Sequence, residues 1–170
     1  YHVIGIFAGA NQRTVAKQKS KISALQKVGK DVETGIDFKV CGTPDRTNRA
    51  MEKAFSEIET NQNKLFHALF WFTSHNHIDE TAISCLKAGD IAKAADIWGK
   101  TIQGKQISQN NFSAFNNLGT LHLASAFYNN AVDVNKLKAG VFYKAELIDS
   151  SFFKDFCHFV ADETYTIDPD

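Results

Sequence analysis

Apolar side chains recur at intervals of three and four residues along most of this chain, which is the spacing of amphipathic helices. The interval 11–26 has one such face, and either Asn11 or Thr14 can cap its first turn. Gly29 follows and ends the predicted helix, since glycine readily adopts the left-handed backbone found at helix ends. The chain contains only two prolines, so little interrupts further helices. The pattern therefore predicts an all-α fold.

The helical spacing is lost between residues 30 and 47, where two glycines and Pro44 indicate a loop. A second helix is predicted from Thr47 onward, and the polar run 60–63 separates it from a third. The inward faces of these two helices are predicted at Met51, Ala54, Phe55 and Ile58, and at Leu65, Ala68, Leu69 and Phe72. Together these helices make up a front module predicted at residues 1–73.

Residues 82–98 have the pattern of two helices joined by a tight turn. Gly89 supplies the permissive backbone of the turn, and Asp90 can cap the second helix. The small side chain of Ala82 allows the two helices to approach closely. The buried stripe of the second helix is predicted at Ile91, Ala94, Ala95 and Trp98. This region is thus predicted to be a helical hairpin.

A second helical pair is predicted further along, at 115–122 and 134–147. The inward side chains of its later helix are predicted at Ala139, Phe142, Tyr143 and Leu147. A last helix would cap the array, with apolar positions at Phe152, Phe153, Phe156, Cys157 and Val160. These elements define a second module predicted at residues 74–170.

The Gly89-Asp90 turn followed by Trp98 resembles a tetratricopeptide repeat, and the run 115–119 resembles the opening of another. That resemblance implies a groove along the first helix of each hairpin, which receives a peptide or a partner helix. Asn116 and Asn117 lie on such a helix and are candidate peptide-binding residues. The alternative is that they are ordinary polar surface.

The front module resembles a degenerate J domain. The resemblance rests on the opening 1–6, on the lysine-rich first helix and on the pair Ala54-Phe55 with Ile58. In J domains a His-Pro-Asp tripeptide after the first of these helices stimulates the ATPase of Hsp70. Lys27-Val28-Gly29 stands in that place here. As a whole, the chain resembles bacterial J-domain-like proteins that lack the tripeptide and carry tetratricopeptide-like repeats.

Charge is unevenly distributed, although the formal net charge is zero. Residues 1–30 contain six basic side chains and no acidic one. In the J-domain family, basic residues of this helix contact an acidic surface of Hsp70. The resemblance thus implies partner-binding roles for Arg13, Lys17, Lys19 and Lys21, whereas the alternative is a solvated helix face. We do not expect nucleic-acid binding, because no aromatic residues interleave with these lysines.

Residues that could carry catalysis are sparse. The three cysteines form no Cys-x-x-Cys pair, and the sequence contains no phosphate-binding loop or nucleophile elbow. His75 and His77 could converge with Asp79 on a zinc ion. The alternative is a polar connection in which Asp79 caps the next helix. We expect no enzyme activity, no cofactor and no metal.

These observations favour a cytoplasmic, non-catalytic module of chaperone-related type that binds a protein or peptide partner. No apolar run approaches the length of a membrane span. One alternative is an active Hsp70 co-chaperone that uses the basic helix 11–27. A second alternative is a metal-dependent enzyme at His75 and His77. The missing tripeptide predicts that the protein leaves the ATP turnover of Hsp70 unchanged.

Overall fold

The computed structural model describes residues 1–128, 131–162 and 165, and within them it confirms the all-α class, since no strand forms there. The helices are α1 (Gln12–Lys27), α2 (Asn48–Ser56), α3 (Asn61–Leu69), α4 (His77–Lys87), α5 (Ile91–Ile102), α6 (Phe112–Ala126), α7 (Val134–Asp149) and α8 (Phe153–Val160), with a 3₁₀ turn at Lys39–Cys41. The module predicted at 74–170 extends beyond the described residues.

Polar side chains fix where several helices begin. Asn11 Oδ1 accepts a hydrogen bond from the backbone N–H of Thr14 at 2.9 Å. Asp90 Oδ1 accepts one from the N–H of Lys93 at 3.0 Å. Threonine hydroxyls cap α2 and α3 in the same way. The predicted caps of α1 and α5 are therefore confirmed, and each satisfies an N–H group that has no partner within its helix.

Helix α6 lies at the centre of the fold. Its residues 112–121 are buried around the whole circumference of the helix. Helices α5, α7 and α8 and the 3₁₀ turn all pack against it. A helix enclosed in this way must be nearly free of charge, and α6 contains no Asp, Glu, Lys or Arg. The two predicted hairpins, α4 with α5 and α6 with α7, meet along this helix.

Residues 1–10 form an irregular segment that is hydrogen-bonded to the chain following α3. The N–H of Ala8 donates to the carbonyl of Phe72 at 3.0 Å. The indole N–H of Trp71 donates to the carbonyl of Ile6 at 2.9 Å in the interior. The start of the chain is therefore held against the junction between α3 and α4.

One cluster of buried apolar residues joins the two predicted modules. It includes Ile4 and Phe38 from the front and Trp98 and Phe156 from the back, all fully or almost fully buried. Phe72 stacks on Trp98 with ring centroids 5.9 Å apart. The boundary predicted between the modules therefore crosses a continuous core.

Helix α1 is attached to this core by one side only. Ile22 is its single buried side chain, and the amide of Gln18 donates to the carbonyl of Ile4 at 2.7 Å. Lys19 lies over the ring of Phe55, 5.5 Å from its centroid, while Gln26 contacts Met51. Gln26, near the end of α1, thus contacts the start of α2, whereas Lys19 lies over a residue near the end of α2. The two helices therefore run in opposite directions.

Helix α7 differs from the prediction in the face that it buries. Leu147 is buried, but Phe142, predicted to point inward, is 56% exposed. The helix instead buries Gly140 and Lys144 against α6. Glycine at this face allows the two helices to approach closely, so the inward side of α7 rotates away from its large aromatic residue.

Candidate functional site

Asn116 and Asn117 are fully buried, so the prediction that they bind a peptide in a groove is wrong. The Asn116 amide donates to the carbonyl of Trp71 at 2.9 Å. The Asn117 amide donates to the carbonyl of Thr73 at 3.0 Å, and its oxygen accepts from the N–H of Thr73 at 2.8 Å. These two side chains bind the protein's own segment 68–73.

The chain after α3 therefore covers the side of α6 on which a peptide groove is expected. The carbonyl of Trp71 and the N–H and carbonyl of Thr73 lie outside the helices, and the two asparagine side chains satisfy them in the interior. The sequence contains a signal for this arrangement: the run 112–126 has no Asp, Glu, Lys or Arg. Polar side chains on an uncharged helix indicate an internal hydrogen-bond network rather than a surface.

Asp79 belongs to the same buried network. Its Oδ1 accepts from the indole N–H of Trp98 and from the Asn117 amide, each at 2.9 Å. Its Oδ2 accepts from the backbone N–H of His75 at 3.1 Å. The prediction that Asp79 caps α4 is thus wrong, because Asn76 accepts the hydrogen bonds of the first turn.

His75 and His77 are not brought together around a metal-binding carboxylate. The ring of His75 lies against Phe112 and Phe159, with centroids 4.6 and 4.7 Å away. Both oxygens of Asp79 are engaged by protein donors. Across the described part of the chain, no three His, Cys, Asp or Glu side chains are placed to hold one ion.

Lys144 is enclosed between α6 and α7. Its nitrogen donates to the backbone carbonyl and the side-chain oxygen of Asn116, at 2.6 and 2.7 Å, and to the Thr120 hydroxyl at 2.8 Å. Burial lowers the pKa of Lys144 well below its ordinary value. Because the amine is buried and all three of its acceptors lie on α6, its role is structural: it joins α7 to α6.

An apolar cleft of about 650 Å³ lies beside the 3₁₀ turn and includes Trp71, Phe127 and Cys41 in its lining. Burial raises the pKa of the Cys41 thiol to about 12, so the reactive thiolate is disfavoured. His2 stacks on Trp71 at this cleft, and its buried Nε2 has no hydrogen-bond partner among the described residues. Burial lowers the pKa of His2 to about 4.

Helix α1 presents a basic face to solvent. Positions four residues apart on a helix are offset by about 40°, so Arg13, Lys17 and Lys21 form one row, with Lys27 beside it. This row lies opposite Ile22, the residue that α1 buries. All four side chains are exposed, and none forms an ion pair with any residue that the structure describes. We call these four residues the basic face.

Lys19, the remaining candidate on α1, lies apart from the basic face. It lies at the edge of the contact with α2, over the ring of Phe55. A cleft of about 730 Å³ adjoins it between α1 and α8, with Lys64 and Glu59 also in its lining. The structure therefore brings Arg13, Lys17 and Lys21 together, and it places Lys19 against the body of the protein.

The fold and its surfaces define an all-helical protein with one continuous core and an outward basic helix. Comparison with protein-family models, with curated proteins and with solved structures finds no match in any of the three. None of the described helices combines the length and the apolar character needed to cross a bilayer. The surface of this chain is therefore what indicates its function.

Proposed function

We propose that this chain is a non-catalytic protein-interaction module whose recognition surface is the basic face of α1. The observation that carries the proposal is the row Arg13, Lys17 and Lys21, exposed on one side of a helix and without acidic partners in the described residues. Unneutralised charge of one sign attracts a partner of the opposite sign and accelerates encounter. The fitting partner is a protein with an acidic surface.

The resemblance to J domains points to an Hsp70-type chaperone as that partner. The opposite directions of α1 and α2, with the lysines of α1 facing outward, are compatible with it. Lys27, Val28 and Gly29 stand at the end of α1 in place of the tripeptide, and they offer no imidazole, no carboxylate and no proline ring. The protein would therefore bind the chaperone without stimulating it.

A charge-reversal experiment tests this proposal. The variant R13E/K17E/K21E changes three residues that are exposed and do not contribute to the core. We expect its affinity for a purified Hsp70-type chaperone to fall at least about tenfold, because it replaces charge attraction with repulsion. A tenfold loss corresponds to about 1.4 kcal/mol of binding free energy. The wild-type complex should weaken as salt is added, because exposed charges are screened.

The matched control is K87E/K93E/K105E, which reverses three exposed lysines of the helices α4 and α5 and the loop after them. It changes the net charge by the same amount and should retain the wild-type affinity. Equal losses in the two triple variants would show a non-specific charge effect and would overturn the assignment to α1.

The second candidate function is an active Hsp70 co-chaperone that works through the same basic helix. The outward lysines beside an antiparallel α2 are the observation that favours it. ATP turnover by the chaperone separates the two candidates. We expect the same turnover with and without the protein, and clear stimulation that R13E/K17E/K21E abolishes would establish the co-chaperone instead.

A further inference from the structure

The cleft beside the 3₁₀ turn is walled by three parts of the chain that lie far apart in sequence. These are the turn itself, the residues at the end of α3, and the last two turns of α6 with the residues that follow them. Its volume of about 650 Å³ lies in the range of small-molecule binding sites. We call it the Trp71 cleft, and its lining includes Lys39, Phe70, Trp71, Leu123, Phe127 and Tyr128.

The indole of Trp71 in the wall of this cleft is held in place from several sides. Its N–H donates to the carbonyl of Ile6, and the backbone carbonyl of Trp71 accepts from the Asn116 amide, both at 2.9 Å. The ring of His2 stacks on the indole, with ring centroids 4.4 Å apart. The wall is therefore formed without a ligand, so that binding would cost little conformational entropy of the protein.

Three aromatic side chains of the Trp71 cleft are turned largely to solvent. Phe70, Phe127 and Tyr128 are 56, 58 and 38% exposed. Phe66 adjoins Phe70, with ring centroids 5.7 Å apart, and is exposed as well. Exposed apolar residues that are gathered around one concave site indicate a binding surface, whereas scattered ones do not. Because aromatic rings pack on one another offset or edge to face, this surface suits a flat aromatic molecule.

The lining of the cleft carries charge of one sign. Lys39 is its only formally charged side chain, and no acidic residue is among the described residues that form it. Lys39 is exposed and has no ion-pair partner within the described part of the chain. Burial lowers the pKa of His2, the other basic side chain of the lining, to about 4, so this ring is neutral at pH 7. One ammonium group beside apolar walls is complementary to a ligand with one negative charge.

We propose that the Trp71 cleft binds a small aromatic carboxylate. The ring system of the ligand packs on the aromatic side chains of the cleft, and its carboxylate pairs with the ammonium group of Lys39. A phosphate monoester fits less well, because it carries about 1.5 to 2 negative charges at pH 7 and offers three acceptor oxygens to a single lysine. The lining includes no residue of α1, so this site is independent of the proposed function.

Isothermal titration calorimetry of the full chain with three naphthalene derivatives tests the proposal. Naphthoate should bind one molecule per chain with a Kd of about 100 µM or tighter. The uncharged naphthylmethanol should bind about tenfold more weakly, and the cationic naphthylmethylamine more weakly still, because its ammonium group meets Lys39. Absence of naphthoate binding up to about 2 mM, or equal affinities for the three compounds, would overturn the proposal.

Lys39→Met tests where the carboxylate binds. Methionine keeps an unbranched side chain and removes the charge, so the affinity for naphthoate should fall about tenfold, whereas the affinity for naphthylmethanol should not change. Unchanged binding of the alcohol also shows that the cleft is intact in the variant. The matched control is Lys87→Met, at an exposed lysine of α4 outside the lining. Equal affinities of the two variants for naphthoate would overturn the assignment to Lys39.

Phe127→Ala tests the apolar part of the site. Naphthoate and naphthylmethanol should both bind at least about fivefold more weakly to this variant, because the aromatic contact serves both ligands. Phe142→Ala is the matched control, since Phe142 is 56% exposed on α7 and lies outside the lining. Both positions are exposed, so the thermal unfolding of the two variants should match that of the wild type. Equal affinities of the two variants would show that the ring binds elsewhere.

Two further probes distinguish other occupants that suit exposed aromatic residues near a lysine. Octanoate represents an aliphatic carboxylate, and vesicles of phosphatidylglycerol represent an anionic lipid surface. We expect octanoate to bind at least about tenfold more weakly than naphthoate, and the protein not to sediment with the vesicles. Tighter binding of octanoate would show a site for aliphatic chains. Vesicle binding that Phe127→Ala abolishes would show a lipid-binding surface, and either result would overturn the proposal.

Discussion

The side-chain nitrogen of Lys144 lies 2.7 Å from the side-chain oxygen of Asn116, inside the contact between α6 and α7. The Asn116 amide nitrogen donates in the other direction, to the carbonyls of Trp71 and Ala68. One side chain therefore links α7, α6 and the chain after α3. This relationship explains why the back of the molecule is not an open repeat array, since its central helix is engaged on both sides.

Replacing Lys144 with methionine should change how stability depends on pH. Burial lowers the pKa of Lys144 in the folded protein, while the unfolded chain keeps the ordinary value of 10.5. Between the two values the unfolded state holds one more proton, so stability rises with pH through that interval. In that interval the free energy of unfolding of the wild type, relative to that of K144M, should rise by up to about 1.4 kcal/mol per pH unit.

Urea unfolding of both proteins at several values between about pH 7 and pH 10 measures this difference. Comparing the two curves cancels the contribution of every other ionisable group, because both proteins contain the same ones. Parallel curves would mean that the amine titrates alike in the folded and unfolded states, contrary to its burial.

Asn117→Ala should strongly destabilise the fold. The substitution removes the partners of the Thr73 N–H and carbonyl and one of the two donors to Asp79 Oδ1, all in the interior. Leaving buried polar groups unpaired predicts a loss of about 2–4 kcal/mol in the free energy of unfolding. Asn110→Ala, at an exposed position, should stay within about 0.5 kcal/mol of wild type. Similar losses for both variants in urea unfolding would argue against the network.

Two glycines in helices should respond to alanine in opposite directions. A Cβ at Gly140 would lie 2.7 Å from Leu123 Cγ, so alanine there should force α7 away from α6 and cost about 1–3 kcal/mol. A Cβ at Gly99 in α5 would meet nothing within 4 Å. Alanine at that position should stabilise the protein by about 0.5–1 kcal/mol. Thermal unfolding of the two variants measures both signs, and equal shifts would contradict the close contact.

His2→Phe should make the protein less sensitive to acid. Burial lowers the pKa of His2 from 6.5 to about 4, with the carboxylate of Asp37 opposing that shift. Between these values the unfolded chain binds a proton that the folded protein does not, so the folded state loses stability as the pH falls. Phenylalanine keeps the stack on Trp71 and removes the titration. Between about pH 6.5 and pH 4, the free energy of unfolding should fall more steeply for the wild type than for His2→Phe. Urea unfolding at several pH values measures this, and equal slopes for the two proteins would contradict the prediction.

The sequence was sufficient to predict the helices because their signals are local. Asn11 and Asp90 mark the starts of α1 and α5, and the apolar spacing around Phe55 places the inward face of α2. Such caps and stripes involve residues within a few positions of one another. They therefore predict each helix without reference to the rest of the chain.

The burial of Asn116 and Asn117 could not be predicted from such local signals. It depends on backbone groups more than forty positions earlier, at Trp71 and Thr73, which become partners only once the helices have packed. The outward turn of Phe142 has a similar cause, because the close approach at Gly140 decides which side of α7 faces α6. Long-range packing overrode the local pattern at both places.

The central claim, that the basic face of α1 binds an acidic partner, is tested most directly by lysine labelling of the wild-type protein. A small amine-reactive reagent would be applied with and without a purified Hsp70-type chaperone, and the modified lysines would be read by mass spectrometry. Two sets of exposed lysines are compared. The first set belongs to the basic face and consists of Lys17, Lys21 and Lys27; the second lies elsewhere and consists of Lys87, Lys93 and Lys105. We predict that the chaperone protects the first set and leaves the second unchanged. Protection of the second set alone, or unchanged labelling of the first set in a complex that forms, would contradict the claim.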